Sequence, residues 1–183
     1  MFYSVLVKNF TALTNIKTMK KSILVASMLL GLAYSSEAQN ISKNALGLRL
    51  GDNDGFGGEV SYQRKLAIHN RLEIDLGWRN SKEVGSLKLA GLYQWTWNIE
   101  NGFNWYAGVG GGLGSWSYNK NNENYKGTFV FVAGDLGIEY NFDIPLQLSL
   151  DIRPELYFNS SSYRDNNFGP DIALGIRYVF NNK

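Results

Sequence analysis

The sequence predicts an all-β fold, an eight-stranded antiparallel up-and-down transmembrane β-barrel, and three observations predict it. Apolar and polar residues alternate with a period of two along almost the whole chain after residue 38, the repeat of a strand with unlike faces. The connections between the alternating segments are by turns short and long. The chain holds 20 glycines, 11 tyrosines, 10 phenylalanines and 5 tryptophans but only three prolines, a composition suited to pleated surfaces and tight turns.

Residues 1–38 are read as an upstream segment and a secretory signal peptide. Met19-Lys20-Lys21 supplies a positive start, residues 23–34 an apolar stretch, and Ser36-Glu37-Ala38 the small residues a signal peptidase reads, with cleavage after Ala38. The apolar stretch is too short for a membrane anchor, and Met19 is a second candidate start. Loss of this segment removes four lysines and one glutamate and turns a net charge of +2 into −1. No persistent basic face is left for nucleic acid. With no cysteine there is neither a disulfide nor a thiolate site, and one histidine leaves a His-rich zinc site out of reach. Residues 39–183 then form the barrel domain.

Eight segments carry the alternation in order. Leu46, Leu48 and Leu50 stand opposite Gly47 and Arg49, then Val60 and Tyr62 opposite Glu59, Ser61 and Gln63. Leu72, Ile74, Leu76 and Trp78 alternate with Arg71, Glu73, Asp75, Gly77 and Arg79. Leu87, Leu89, Tyr93, Trp95 and Trp97 oppose Lys88, Ala90, Gln94 and Thr96. Phe103, Trp105, Ala107, Val109 and Leu113 oppose Asn104, Tyr106 and the glycines at 108, 110, 112 and 114. Val130, Val132, Leu136, Ile138 and Tyr140 oppose Asp135, Gly137, Glu139 and Asn141. Leu146, Leu148, Leu150, Ile152, Leu156 and Phe158 oppose Gln147, Ser149, Asp151, Arg153 and Glu155. Ile172, Leu174, Ile176, Tyr178 and Phe180 close the series against Asp171, Ala173, Gly175 and Arg177. Eight is the smallest even strand number of a closed outer-membrane barrel.

Short turns are expected at 68–70, 100–102 and 142–145, the second on Asn101-Gly102 because both central positions of that turn need positive φ. Polar connections are expected at 51–58, 80–85, 119–127 and 159–169. Short turns at one end and longer loops at the other are the periplasmic and exterior ends of such barrels, and segments of ~10 tilted residues cross a band of roughly 25 Å. Alternation alone does not separate a lipid-facing barrel from a soluble one with an apolar interior. The aromatics do: Trp95, Trp97, Phe103, Trp105, Tyr140, Phe142, Tyr178 and Phe180 gather at the turn end, as an interfacial girdle does. The expected interior polar network is Arg49, Glu59, Glu73, Asp75, Arg79, Lys88, Asp135, Glu139, Asp151, Arg153, Glu155, Asp171 and Arg177, with Lys65 and Arg71 on the same face. Its opposite charges nearly balance, as buried charges must.

On these residues residues 39–183 resemble the small outer-membrane β-barrel family, OmpX-like and OmpA transmembrane-domain-like, often labelled "porin family". The segment 172–180 is similar to the aromatic-ended signal read by the barrel-assembly machinery, although here Asn181-Asn182-Lys183 follow it. The resemblance implies an exported outer-membrane protein, a monomer contacting membrane lipids and the assembly machinery. It implies no enzyme: a structural protein, or one that binds a surface ligand through exterior loops, with passage of very small solutes at most. Rival readings are an outer-membrane lipid-modifying enzyme of the acyltransferase or deacylase kind and a secreted soluble ligand-binding barrel.

No catalytic residue, cofactor or metal is expected. The glycine run 108–114 lies within an alternating strand, whereas a phosphate-binding run sits between strand and helix. It is read as room for long Arg, Glu and Tyr side chains. Asp52-Asn53-Asp54-Gly55 starts like a calcium loop but lacks an oxygen ligand at Phe56 and reads as a plain turn. His69 is placed in a turn, at the opposite end from Ser160, Ser161 and Ser162, too far to serve as their base. The polar stretches with Tyr125, Tyr163 and Phe168 are the candidate binding loops.

Overall fold

The computed structural model describes residues 41–51, 57–80, 84–120, 123–158 and 167–180. Eight strands run β1 (Asn44–Gly51), β2 (Gly57–Lys65), β3 (Asn70–Asn80), β4 (Val84–Glu100), β5 (Phe103–Lys120), β6 (Glu123–Asn141), β7 (Leu146–Phe158) and β8 (Phe168–Phe180). Each pairs antiparallel with its neighbours in sequence, and β8 returns to β1, from Asn44↔Phe180 to Gly51↔Ala173, to close the barrel. Closure satisfies the backbone without water, the condition for a sheet in hydrocarbon. The three expected turns are present. Asn101 and Gly102 both have positive φ, 25° and 90°. At the other two, the Leu66 amide donates to the Asn70 carbonyl and the Phe142 amide to the Leu146 carbonyl.

The alternation of burial decides which face is which. Along β8 the inward positions are Asp171, Ala173, Gly175 and Arg177, while Ile172, Leu174, Ile176 and Tyr178 are exposed. The same inversion holds around the wall: Leu46, Leu48, Leu76, Leu89, Val132 and Leu150 are exposed and the charged residues between them are buried. An exposed apolar band of this extent needs a lipid solvent. The aromatics of the turn end pack ring on ring, across neighbouring strands in Trp97 on Trp105 at 4.3 Å and Phe103 on Tyr140 at 4.5 Å, and along the chain in Tyr140 on Phe142 at 4.6 Å and Tyr178 on Phe180 at 6.4 Å. A second exposed set, Trp78, Phe158 and Phe168, marks the loop end, so aromatics flank the apolar band on both sides.

Three expectations are corrected. Strands are not uniformly near ten residues but run from 8 in β1 to 19 in β6. The stretch 119–127 is not a polar loop. All but 121–122 of it is ladder, with Tyr118↔Tyr125 and Lys120↔Glu123 paired. The outward side chains leading up to and within it, Ser115, Thr128 and Lys126, are polar because this hairpin continues past the apolar band, which ends at Leu113 and Val130. The inward glycines of β5 make room for rings as much as for charges. A Cβ on Gly112 would meet the Phe131 ring at 2.7 Å, and one on Gly114 the Phe129 ring at 2.3 Å. Those rings join Trp116, Tyr157, Ala90, Leu92 and Ala133 in a buried apolar cluster inside the barrel, toward the loop end.

Leu76 and Ile176 are lipid-facing. Leu76→Arg and Ile176→Arg should each destabilise the folded barrel by ~2–4 kcal/mol near the bilayer midplane. Denaturant titration of the protein folded into lipid vesicles measures this. Folding equal to the parent would mean that the facing is inverted.

Candidate functional site

The side chains that carry chemistry in this chain converge on the barrel interior. Parity places them there: every second residue of a strand points inward, so Arg49, Glu59, Glu73, Asp75, Lys88, Asp135, Glu139, Asp151, Arg153, Glu155, Asp171 and Arg177 are all buried. The Arg79 side chain, expected among them, lies outside the described residues, though its backbone pairs with Ser86.

Carboxylates shared between cations knit the centre. The Arg153 guanidinium reaches across the lumen to Asp75 at 2.7 Å and to Glu59 and Glu73 at 3.3 Å each. Arg49 pairs with Glu59 at 2.9 Å, with Asp171 at 2.7 Å and with Asp151. Arg177 meets Glu73 at 3.1 Å and donates to the Ser61 and Ser149 hydroxyls at 2.9 and 2.7 Å. Lys88 lies 3.0 Å from Glu59 and donates to Glu155 at 2.9 Å. Arg71, on the expected face but outside the expected network, is fully buried. It pairs with Glu139, donates to Gln94 at 2.5 Å and stacks over the Tyr106 ring at 4.6 Å.

Ion pairs are not the whole filling of the interior, in which Lys65 is half-buried. Among the described residues the buried side chains include five cations and eight carboxylates. Neutral donors make up much of the difference. Gln63 and Gln94 donate to Glu73 at 2.5 and 3.0 Å, Gln94 to Asp135 at 2.5 Å and Asn104 to Glu139 at 3.2 Å. The Tyr157 hydroxyl donates to Glu155. An amide can donate twice and accept at its oxygen, so it links carboxylates that a cation cannot reach. The contacts run unbroken from the Asn98–Asn104 pair at the turn end through Glu139, Arg71, Gln94, Glu73, Arg153, Glu59, Lys88 and Glu155 to Tyr157. There the apolar cluster begins.

Sequence reasoning missed the cluster itself. Trp116, Phe129, Phe131 and Tyr157 are apolar residues at inward positions, and parity is the signal that finds them. Phe129 and Phe131 share a face with Asp135 and Glu139, and Tyr157 shares one with Arg153 and Glu155. The girdle aromatics stand at the turn end as expected, outward on their strands. His69 is half-buried in the β2–β3 turn, its carbonyl accepting from the Thr96 amide at 2.8 Å. Ser160, Ser161, Ser162, Tyr163, the segment 52–55 and residues 1–38 lie outside the described residues. The interior carboxylates above are engaged by cations and amides, so they are built as packing groups and not as free nucleophiles or bases.

No protein-family model matches the sequence, and no curated protein matches it. Solved structures do match. The N-terminal β-barrel domain of Pseudomonas aeruginosa OprF superposes with a TM-score of 0.58 at 8% identity, covering 75% of this chain and 98% of that one. Neisserial surface protein A gives 0.55 at 12% identity, covering 75% and 94%. Ail, the attachment invasion locus protein of Yersinia pestis, gives 0.51 at 14% identity, covering 76% and 97%. A de novo designed transmembrane β-barrel gives 0.51 at 18% identity, covering 79% and 100%. The chain has the fold of the small eight-stranded outer-membrane β-barrels.

Arg153→Ala leaves Glu59, Glu73 and Asp75 without a shared cation. It should cost about 3–5 kcal/mol, as breaking a buried pair from one side does. Lys126→Ala, at an exposed site, should stay within about 0.5 kcal/mol of the parent. Unfolding midpoints followed by tryptophan fluorescence compare the two variants. Equal effects would show that the interior pairs carry no stability.

Proposed function

We propose that this chain is an exported, monomeric outer-membrane β-barrel without catalytic activity, a rigid envelope scaffold that offers its loop end as a binding surface. The observation that carries this reading is the filled lumen inside a lipid-facing wall. A continuous ionic and amide network occupies the interior and an aromatic cluster overlies it, while exposed leucines and valines face outward. An eight-stranded barrel is just wide enough for its side chains to fill. Function then belongs to the ends. The β5–β6 hairpin carries its polar outward residues beyond the apolar band, as an element presented to a partner does. Ail is the attachment invasion locus protein of Yersinia pestis, and attachment through the loop end is the role proposed for this chain. Orientation follows from the connections: the short-turn end with both strand termini faces the periplasm and the opposite end the exterior. Ile172 to Phe180, outward aromatics included, is the segment offered to the assembly machinery. Passage of very small solutes is the second reading, and the glycines of β5 are the feature that favours it.

Three measurements on one preparation test the reading. Cell fractionation should recover the protein in the outer membrane, and unboiled samples should migrate differently from boiled ones on a denaturing gel. The intact mass should begin at Gln39. Planar-bilayer recording should show no reproducible single-channel steps. Steps that change size when Gly110 is replaced by a bulky residue would make transport the function, and recovery in the soluble periplasm would remove the membrane reading.

A further inference from the structure

Of the described arginine side chains, Arg49, Arg71, Arg153 and Arg177 are buried and paired with carboxylates. Arg64 is different. It stands one residue before the end of β2 at the turn end, on the outward face, and it is exposed. Its row of outward residues crosses five strands, from Phe180 through Asn44, Arg64 and Leu72 to Tyr93. Phe180 puts that row at the level of the aromatic girdle. The row one step deeper is apolar and aromatic: Tyr178, Leu46, Tyr62 and Ile74. Arg64 therefore stands where hydrocarbon gives way to headgroups.

The guanidinium is held in place. Asn44 is paired with Arg64 on the same outward face, yet it is buried. Its Oδ1 accepts from the Arg64 Nη1 at 3.1 Å and from the Tyr62 hydroxyl at 2.8 Å. Among the described residues this is the one side-chain hydrogen bond of Arg64, so Nε and Nη2 remain for a planar, two-pronged acceptor such as a phosphate. Two further cations adjoin it. Lys65 follows in β2, and its backbone amide donates to the carbonyl of the exposed Lys43 at 3.0 Å. The acids of the turn end lie on other strands, Glu100 at the end of β4 and Asp143 in the β6–β7 turn. An acidic protein partner would have to enter lipid to reach this face, whereas a lipid phosphate is already at this depth, with its acyl chains on the exposed Leu46 and Ile74. We infer that the turn end of β1–β2 binds the phosphate of an anionic glycerophospholipid, through Arg64 aligned by Asn44, with Lys43 and Lys65 adding to the attraction. The inference rests on the outer-membrane reading, which makes this the periplasm-facing leaflet.

The test is titration of the protein, folded in zwitterionic detergent micelles, with dihexanoylphosphatidylglycerol, dihexanoylphosphatidylcholine and glycerol 3-phosphate. NMR of the Asn44 side-chain amide and the Arg64 Nε–H reads the binding. Dihexanoylphosphatidylglycerol should shift both signals saturably. Dihexanoylphosphatidylcholine, whose choline offsets the phosphate charge, should bind about tenfold more weakly. Glycerol 3-phosphate, a phosphate without acyl chains, should give no saturable shift, which separates a lipid site from a free-phosphate site. Followed at Asn44, Arg64→Gln should weaken the anionic lipid about tenfold or more, while Arg64→Lys keeps part of the affinity through its charge. Lys126→Gln, at the loop end, should bind as the parent does. An absence of shifts, equal binding of the two lipids, glycerol 3-phosphate binding as well as the anionic lipid, or an affinity unchanged in Arg64→Gln would overturn the inference. The gel mobility of the same sample before and after boiling keeps the two readings apart. A barrel that folds but does not discriminate loses only the lipid site, and a chain that does not fold in micelles loses the membrane reading and the site with it.

Discussion

The structure depends on one arrangement above others, the Arg153 guanidinium held across the lumen by Glu59, Glu73 and Asp75. Arg153 lies on β7 and its partners on β2 and β3, strands that are not neighbours in the wall. Backbone ladders specify that strands pair but tolerate a slip of register. A cross-lumen ion pair does not tolerate it, because a one-residue slip would point the charge into lipid. Arg49 does the same at the seam where the chain closes on itself, joining β1 to Asp171 on β8 and Asp151 on β7. Buried ion pairs contribute little net stability compared with an apolar filling. Here they specify one closure and one register, a use of buried charge attested elsewhere.

The lumen is graded along its length, and the grading follows from what each end meets. Amides occupy the turn end, an ionic middle follows, and aromatics cap the loop end. Charges in the middle are farthest from solvent and must be partnered by one another. The aromatic cap shields them, and Lys88 lies at the junction, its ammonium between Glu155 and the Phe131 ring at 5.5 Å. Rings of this size fit inside so narrow a barrel only because the facing β5 positions lack side chains, as at Gly112 and Gly114. Glycine here supplies volume, while at Gly102 it supplies a positive φ.

Much of this was legible from period two. The parity of Asp171, Arg177 and the residues between them assigned the two faces of β8 without a structure, and Asn101-Gly102 announced its turn. Pairing across the lumen was not legible. Parity states that Arg71 and Glu139 both point inward but not that they meet, since their strands are separated by two others. The upper β5–β6 hairpin was misread for a physical reason. Above the apolar band the outward residues Ser115, Lys126 and Thr128 need not be apolar, so the alternation fades while the ladder continues. The inward aromatics were overlooked because an apolar residue in a membrane strand suggests lipid until its parity is checked.

The comparison with a designed barrel clarifies what the shared fold expresses. That sequence is 18% identical to this chain, against 8–14% for the three bacterial proteins. Agreement at this level therefore reflects the constraints common to any such barrel: apolar outward positions, closure and a filled lumen. A fold does not carry its function with it. The residues that individuate this chain are those released from the constraints. At the loop end they are the outward Ser115, Lys126 and Thr128, which neither face lipid nor fill the lumen. At the turn end the asparagines join the ionic middle instead, Asn104 and Asn141 both donating to Glu139.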